Sequence, residues 1–104
     1  AAAPKRAPKA TEEDHARIEA AIRRDAREHQ GVIDPNRVRA ALSDADGLTV
    51  PPRALSGRYS ALAQLEHIES LGYIGTNDDV RSGNAGKPQR HWRWIGPSLE
   101  AAAS

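Results

Sequence analysis

Residues 55–95 read LSGRYSALAQLEHIESLGYI, then GTNDDVRSGNAGKPQ, then RHWRWI, and they carry most of the information about the fold. Apolar residues in the first part recur every three or four positions, which predicts an amphipathic helix. In the last part, a period of two would place Trp92 and Trp94 on one side and the residues between them on the other, which predicts a strand. Residues 77–89 are rich in Gly, Asn and Pro and predict a loop. The stretch therefore predicts a helix leading through a short strand into a β-hairpin with Arg81 and Lys87 at its tip.

Two further helices are predicted upstream of this stretch. Thr11 is a good N-cap for a first helix, and Gly31 is a suitable end for it. A very short extended piece follows at 32–33. The pair Asp34-Pro35 then predicts the start of a second helix, because proline suits the first helical position, and this helix reaches about residue 42 or 43. Residues 44–50, which contain Asp46-Gly47, predict a turn.

The predicted third helix has two contrasting faces. It runs over 52–71, with Gly72 as its stop, and strands follow over 73–76 and 90–95. One face is an apolar stripe of Ala54, Leu55, Ala61, Leu62, Leu65 and Ile68. The opposite face is small and polar, with Arg53, Ser56, Gly57, Ser60, Ala63, Gln64 and His67. Because glycine costs a helix about 1 kcal/mol relative to alanine, Gly57 favours close approach to another surface.

The composition predicts one small folded domain. A chain of 104 residues without Phe, Met or Cys has to build its core from Ile, Leu and Val with two Trp and two Tyr. Residues 1–11 and 97–104 are poor in large apolar side chains, so burial there does not offset the entropy of ordering. We therefore expect a disordered basic tail over 1–11, a domain over 12–96 and a disordered tail over 97–104.

Residue usage also excludes several classes of protein. The absence of Cys excludes disulfides, thiolate zinc sites and cysteine nucleophiles. No stretch approaches the roughly 18–20 apolar residues of a membrane helix, and no signal-peptide pattern is present. We expect a cytoplasmic protein, associated with the nucleoid or with the host cytoplasm if a phage encodes it. The bias to Ala and Arg over Lys is typical of a GC-rich genome and points to an actinobacterium or one of its phages.

Positive charge is concentrated towards the two ends of the chain. The net charge is +1. Lys5, Arg6 and Lys9 lie in a segment without acids, and residues 80–104 carry four cations against one acid, whereas the region between them has an excess of acids. Such patches attract polyanions. Taken alone, however, these charges are explained at least as well by an ordinary solvated surface.

The order of the predicted elements resembles the winged helix-turn-helix family, in the style of small proteins of actinobacterial phages and their hosts. The residues that carry the resemblance are VIDPNRVRAAL at 32–42, VPPRALSGRYSALAQLEHIESLGYI at 50–74 and RSGNAGKPQRHWRWIG at 81–96. The resemblance implies an α+β fold with three helices and a small antiparallel β-hairpin as the wing. The sequence departs from the family at one point, because the connection before Pro52 is longer than the usual three or four residues.

The resemblance also implies non-catalytic binding of double-stranded DNA. The third helix would enter the major groove, and the wing would touch the adjacent backbone or minor groove. Arg53 and Gln64 have the side chains that bond bidentately to guanine and adenine, and the basic residues of the wing suit phosphates. The expected DNA-binding residues are Arg53, Ser56, Gly57, Arg58, Ser60, Gln64, Arg81, Lys87, Arg90 and Arg93. Lys5, Arg6 and Lys9 would lie along a minor groove, unless the tail is only a solvated linker.

No pattern of catalytic or metal-binding residues is present in the sequence. The four histidines are dispersed, and no paired-histidine, phosphate-loop, dinucleotide-binding or nucleophile-elbow motif occurs. We therefore expect no enzymatic activity, no cofactor, no metal and no small-molecule substrate. Tyr59, Trp92 and Trp94 are interpreted as core aromatics rather than as a platform for stacking bases.

A protein-interaction or adaptor module is the alternative function, because a fold does not fix what it binds. DNA binding is favoured if the outer face of the third helix and the hairpin point the same way and are jointly basic. An exposed apolar patch around Tyr59, Tyr73 or the tryptophans would favour a protein partner. No zipper-like helix is predicted, so a monomer or a weak dimer is expected. For a DNA-binding chain, the expected role lies in transcription regulation, replication or recombination of a bacterial or phage genome.

Overall fold

The computed structural model describes residues 10–78 and 85–99. Three helices and short antiparallel strands follow one another in the order α1 (Glu12–Glu28), β1 (Val32–Ile33), α2 (Pro35–Ala41), β2 (Ser43–Asp44), β3 (Gly47–Leu48), α3 (Pro52–Gln64), β4 (Ile68–Thr76) and β5 (Pro88–Trp94). The predicted α+β class, with three helices and a small antiparallel sheet, is confirmed. The predictions made for Lys5, Arg6, Lys9, Arg81 and most of both tails lie outside the described residues.

The capping residues identified in the sequence begin α1 and α2. The Thr11 hydroxyl accepts a hydrogen bond from the Asp14 backbone N–H, and the Asp14 carboxylate accepts one from the Thr11 N–H, both at 3.0 Å. These two bonds form a complete capping box. The Asp34 carboxylate accepts from the Asn36 N–H at 2.9 Å, and Pro35 takes the first position of α2. Both predicted helix starts are confirmed.

The predicted end of α3 is wrong. The helix ends at Gln64 rather than at residue 71, because Glu66 adopts a left-handed conformation with φ 59°. The Glu66 N–H donates to the Ala63 carbonyl at 3.0 Å, and the His67 N–H donates to the Leu62 carbonyl at 2.9 Å. This is the Schellman arrangement, which is usually built on glycine or asparagine. Without either residue, the sequence carried no local sign of it.

The strands differ from the prediction as a consequence. β4 begins at Ile68 rather than at 73, and β5 covers Pro88–Trp94 rather than 90–95. The connection predicted over 77–89 is therefore limited to 77–87. Residues 44–50, predicted as a turn, instead include strand residues of a second small hairpin, in which β2 pairs with β3.

The main sheet has the strand order β1-β5-β4 and is antiparallel. β5 lies in the centre, where it pairs with β4 on one side and with β1 on the other, through Val32 with Arg93 and Ile33 with Trp92. Because β1 lies between α1 and α2 in the chain, this pairing attaches the C-terminal hairpin to the first two helices.

The core is formed by α1, α2, α3 and the main sheet. Its buried apolar residues are Ile18, Ile22, Ala26, Ile33, Val38, Leu42, Val50, Leu55, Tyr59, Leu62 and Ile68. Trp92 and Trp94 pack against this core, as predicted. Leu65 was expected in the apolar stripe of α3, but it follows the end of the helix and is 60% exposed. Tyr59, interpreted as a core aromatic, is buried in this core.

A buried carboxylate joins the end of α1 to the start of α2. Asp25 is only 7% exposed. The Arg37 guanidinium donates to it at 2.8 and 3.2 Å, and the Asp34 backbone N–H donates to it at 2.9 Å. The hydrogen bond to Asp25 raises the pKa of Arg37 above its ordinary value. This network sets the direction in which α2 leaves β1, and α2 contributes one edge of the groove described below.

In the part of the chain that the structure describes, no helix combines the length and the apolar character needed to cross a membrane.

Candidate functional site

A groove of ≈ 530 Å³ separates the N-terminal half of α3 from the β4–β5 hairpin. Three arginines line it: Arg39 from α2, Arg53 from α3 and Arg90 from β5. No carboxylate is found among the described residues that line it. The groove is therefore the feature at which the outer face of α3 and the hairpin meet, and its lining is basic.

The wall formed by α3 is short and polar. Arg53, Ser56 and Ser60 lie three and four positions apart, so they share one helical face, and all three are exposed. Its N-cap residue, Pro51, makes no side-chain cap hydrogen bond, and the first turn of the helix contains no acid. The positive end of the helix dipole therefore adds to the charge of Arg53. Arg53 makes no side-chain hydrogen bond or ion pair within 10–78 and 85–99, so its guanidinium is available to a ligand.

The wall formed by the hairpin is aromatic and cationic. Tyr73 of β4 stands opposite Arg90 of β5 in the strand register. The Arg90 guanidinium lies 5.0 Å from the centroid of the Tyr73 ring and 5.4 Å from that of Trp92, and it donates a hydrogen bond of 3.0 Å to the Tyr73 hydroxyl. Arg90 is thus held in one orientation beside two rings, and the residue remains exposed. Tyr73 is 62% exposed, so most of this residue remains accessible to a ligand.

The floor of the groove contains a buried hydroxyl. Tyr59 of α3 stacks on Trp92 with ring centroids 6.1 Å apart and an interplanar angle of 8°. Its hydroxyl is buried and has no hydrogen-bond partner within the described part of the chain. Burial raises the pKa of the Tyr59 hydroxyl, and the charge of Arg39 opposes this effect. The hydroxyl therefore stays protonated at neutral pH and offers an unused donor.

Arg39 contributes less free charge than the other two arginines of the groove. It forms an ion pair with Asp78 at 3.1 Å and donates a hydrogen bond to the Asn36 side chain at 3.0 Å. Asn36 in turn donates to the Thr76 carbonyl at 2.7 Å. These contacts connect α2 to the end of β4, and they hold the hairpin beside α3.

The structure brings together some of the residues predicted to contact DNA. Arg53, Ser56, Ser60 and Arg90 line the groove, and Gly57 and Gln64 are exposed on α3 outside its lining. Lys87 and Arg93 are exposed on the hairpin strand and its approach, with no ion pair to another described residue.

Arg58 lies apart from this set. Its guanidinium meets the His15 ring at 3.1 Å and the Glu19 carboxylate at 3.9 Å, both on α1. This arginine therefore joins α3 to α1, and it is not among the residues that line the groove.

Two residues of the groove were missed by the sequence reasoning. Arg39 was assigned no role, because nothing in its position within α2 distinguishes it from a solvated arginine. Tyr73 was considered only as part of an exposed apolar patch. Its place beside Arg90 depends on the register of β4 and β5, and a β-bulge next to Tyr73 shifts that register. Neither contact leaves a signal in the sequence.

Within the described ranges, no group of three or more His, Asp or Glu side chains is placed to hold a metal ion. Comparisons with models of protein families, with curated proteins and with solved structures found no match for this chain.

Proposed function

We propose that this chain is a winged helix-turn-helix protein that binds double-stranded DNA through α3 and the β4–β5 hairpin. The observation that carries the proposal is the groove between them, which is lined by three arginines and by no carboxylate among the described residues. DNA presents a dense row of phosphates, so arginines that face it displace counterions and stabilise the complex. The order of helices and strands is compatible with the winged-helix layout.

In this proposal α3 enters the major groove. Arg53, Ser56, Gly57, Ser60 and Gln64 follow one exposed edge of the helix, and the major groove, about 12 Å wide, admits a helix presented in this way. Small side chains at the middle of the edge allow the helix backbone to approach the bases. Arg53 and Gln64 lie near the two ends of the edge and have the groups that read guanine and adenine.

The hairpin would contact the DNA backbone beside the major groove. Lys87 is exposed and has no ion pair with another described residue, so neutralising a phosphate would not break an internal contact. Arg93 alternates with Trp92 along β5, so it lies on the face of the sheet opposite to Arg90. For four to six phosphate contacts in all, the logarithm of the binding constant falls with the logarithm of the salt concentration with a slope of about −4 to −5. The biological role would be transcription regulation, replication or recombination in a bacterium or a phage.

A titration of labelled duplexes at several salt concentrations tests the proposal. Arg53→Ala should weaken binding to the preferred sequence by about tenfold or more, as expected for one bidentate base contact. Lys87→Ala should weaken binding evenly across sequences and reduce the salt slope by about 1. Arg27→Ala is the matched control, because Arg27 is an exposed α1 residue outside the groove lining. Equal losses from Arg53→Ala and Arg27→Ala would refute the assignment of the groove face.

An exposed apolar surface on the hairpin favours a second candidate function, the binding of a partner protein. Tyr73 and Ile74, which are consecutive in β4, are 62% and 64% exposed. Adjacent exposed apolar side chains often mark protein contacts. If the chain binds no duplex at low salt and Ile74→Ser abolishes the capture of a partner from the native host, the adaptor function replaces DNA binding.

A further inference from the structure

The groove beneath the proposed DNA-binding face has room for a small organic group. Its volume of ≈ 530 Å³ falls within the range of about 300–1,000 Å³ that is typical of sites for small organic groups. We propose that the groove accepts one unpaired DNA base, so that the chain binds a duplex with an extrahelical nucleotide more tightly than a perfect duplex. This inference rests on the proposed function, because the DNA has to be held over the groove.

The hairpin wall has the groups on which a base stacks. Unpaired bases stack on aromatic rings and on the planes of arginine guanidinium groups. Tyr73 supplies an exposed ring, and Arg90 supplies a guanidinium fixed by its hydrogen bond to the Tyr73 hydroxyl. Because this hydrogen bond already orders Arg90, stacking a base would not require the side chain to give up much further freedom.

The opposite wall suits the sugar and the phosphate of the same nucleotide. Ser60 is small and exposed, so it leaves room in the groove. Arg53 stands at the N-terminal end of the same wall, without a side-chain partner among the described residues, next to the positive end of the α3 dipole. A phosphate on either side of an extruded nucleotide would meet this charge.

The energetics favour a base that is already unpaired. Extruding a base from a regular duplex costs its pairing and stacking, whereas a bulged or mismatched base has lost much of both. The chain would therefore select damaged, bulged or branched DNA by its low cost of extrusion, in addition to any sequence preference of α3.

The experiment compares three labelled probes of the same sequence: a perfect duplex, the duplex with one extra thymidine in one strand, and the single strand. Fluorescence anisotropy at fixed salt gives the three dissociation constants. The bulged duplex should bind about tenfold more tightly than the perfect duplex, within the range expected for one stacked base. The ratio of these two constants is the readout, so a general change in DNA affinity does not imitate the effect.

Two variants locate the base in the groove. Tyr73→Ala removes the stacking ring, and Gln89→Trp fills the groove from the β5 side. Each should bring the ratio close to 1. Arg27→Ala should leave the ratio at about tenfold, since Arg27 does not line the groove. Thermal unfolding of each variant shows that the domain remains folded.

The possible outcomes separate the inference from the function on which it rests. Equal affinity for the perfect and the bulged duplex overturns the inference and leaves the proposed duplex binding intact. No binding to any probe overturns both. A preference for the bulge that survives Tyr73→Ala and Gln89→Trp overturns the assignment to this groove. A single strand bound more tightly than both duplexes also overturns it, because the DNA would then not need a duplex on α3.

Discussion

Substitution of Gly57 separates the stability of α3 from its proposed contact with DNA. Gly57 lies in the interior of the helix and is exposed. A Cβ added there meets no atom within 4 Å, so no packing inside the described protein requires a glycine. Alanine should therefore stabilise the fold by about 1 kcal/mol, the usual difference in helix propensity. For a domain of this size, that gain raises the melting temperature by roughly 4–8 °C.

The same substitution should act against DNA binding if α3 lies in the major groove. Gly57→Ala adds one methyl group to the middle of the exposed edge, and Gly57→Leu adds a branched side chain of similar helix propensity. Affinity for the duplex should fall in the order Gly, Ala, Leu, with the Leu variant weaker by about tenfold, as expected for overpacking at a close contact. Stability and affinity would thus change in opposite directions.

Thermal unfolding by circular dichroism and anisotropy titrations at fixed salt measure the two effects. Ala16→Leu is the size control, because Ala16 is exposed on α1. A Gly57→Ala variant that melts below the wild type would contradict the open surroundings of this residue. A Gly57→Leu variant that keeps wild-type affinity would remove the middle of α3 from the DNA contact.

Other substitutions test individual features of the fold. Thr11→Ala removes the capping box of α1 and should cost about 1 kcal/mol in the free energy of unfolding, measured by urea denaturation. Glu66→Gly should instead increase the free energy of unfolding by about 1 kcal/mol and so raise the melting temperature, because glycine adopts the left-handed conformation without strain. A lower melting temperature would contradict the Schellman end of α3. Asp25→Ala should cost about 3 kcal/mol, since Arg37 and the Asp34 N–H lose their common acceptor. Burial raises the pKa of Tyr59 in the folded protein, so above a pH of about 10 the tyrosine ionises in the unfolded chain but keeps its proton in the folded one. The free energy of unfolding that Tyr59 contributes below that pH is therefore lost as the pH rises. Tyr59→Phe should reduce this loss in denaturation curves measured from pH 8 to 11.

Local signals predicted the parts of the fold that depend on neighbouring residues. Thr11 and Asp34 begin α1 and α2 because each satisfies a backbone N–H two or three positions ahead, and that requirement is visible in the sequence. The end of α3 was mispredicted because Gly72 was read as the stop. The left-handed position belongs to Glu66, a residue type that rarely takes it, and β4 begins where the helix was expected to continue.

The groove could be predicted only on one side. Helical periodicity placed Arg53, Ser56 and Ser60 correctly on the exposed face of α3. The other walls depend on contacts between residues distant in the chain. Arg39 reaches the groove because α2 leaves β1 in the direction set by Asp25, and Tyr73 reaches it through a bulged register. Spacing along one sequence does not encode such contacts.

The central position of β5 has a consequence for how the domain assembles. Pairing of β1 with β5 joins residues 32–33 to 92–93, so it closes a loop that contains both α2 and α3. Contacts between segments so far apart form late and slowly, because the chain first loses the entropy of closing the loop. During synthesis, α1 and α2 can form as soon as they emerge, whereas the groove appears only after β5 has left the ribosome. Until then, β1 has a free edge, and a chaperone or a second nascent chain could occupy the place reserved for β5.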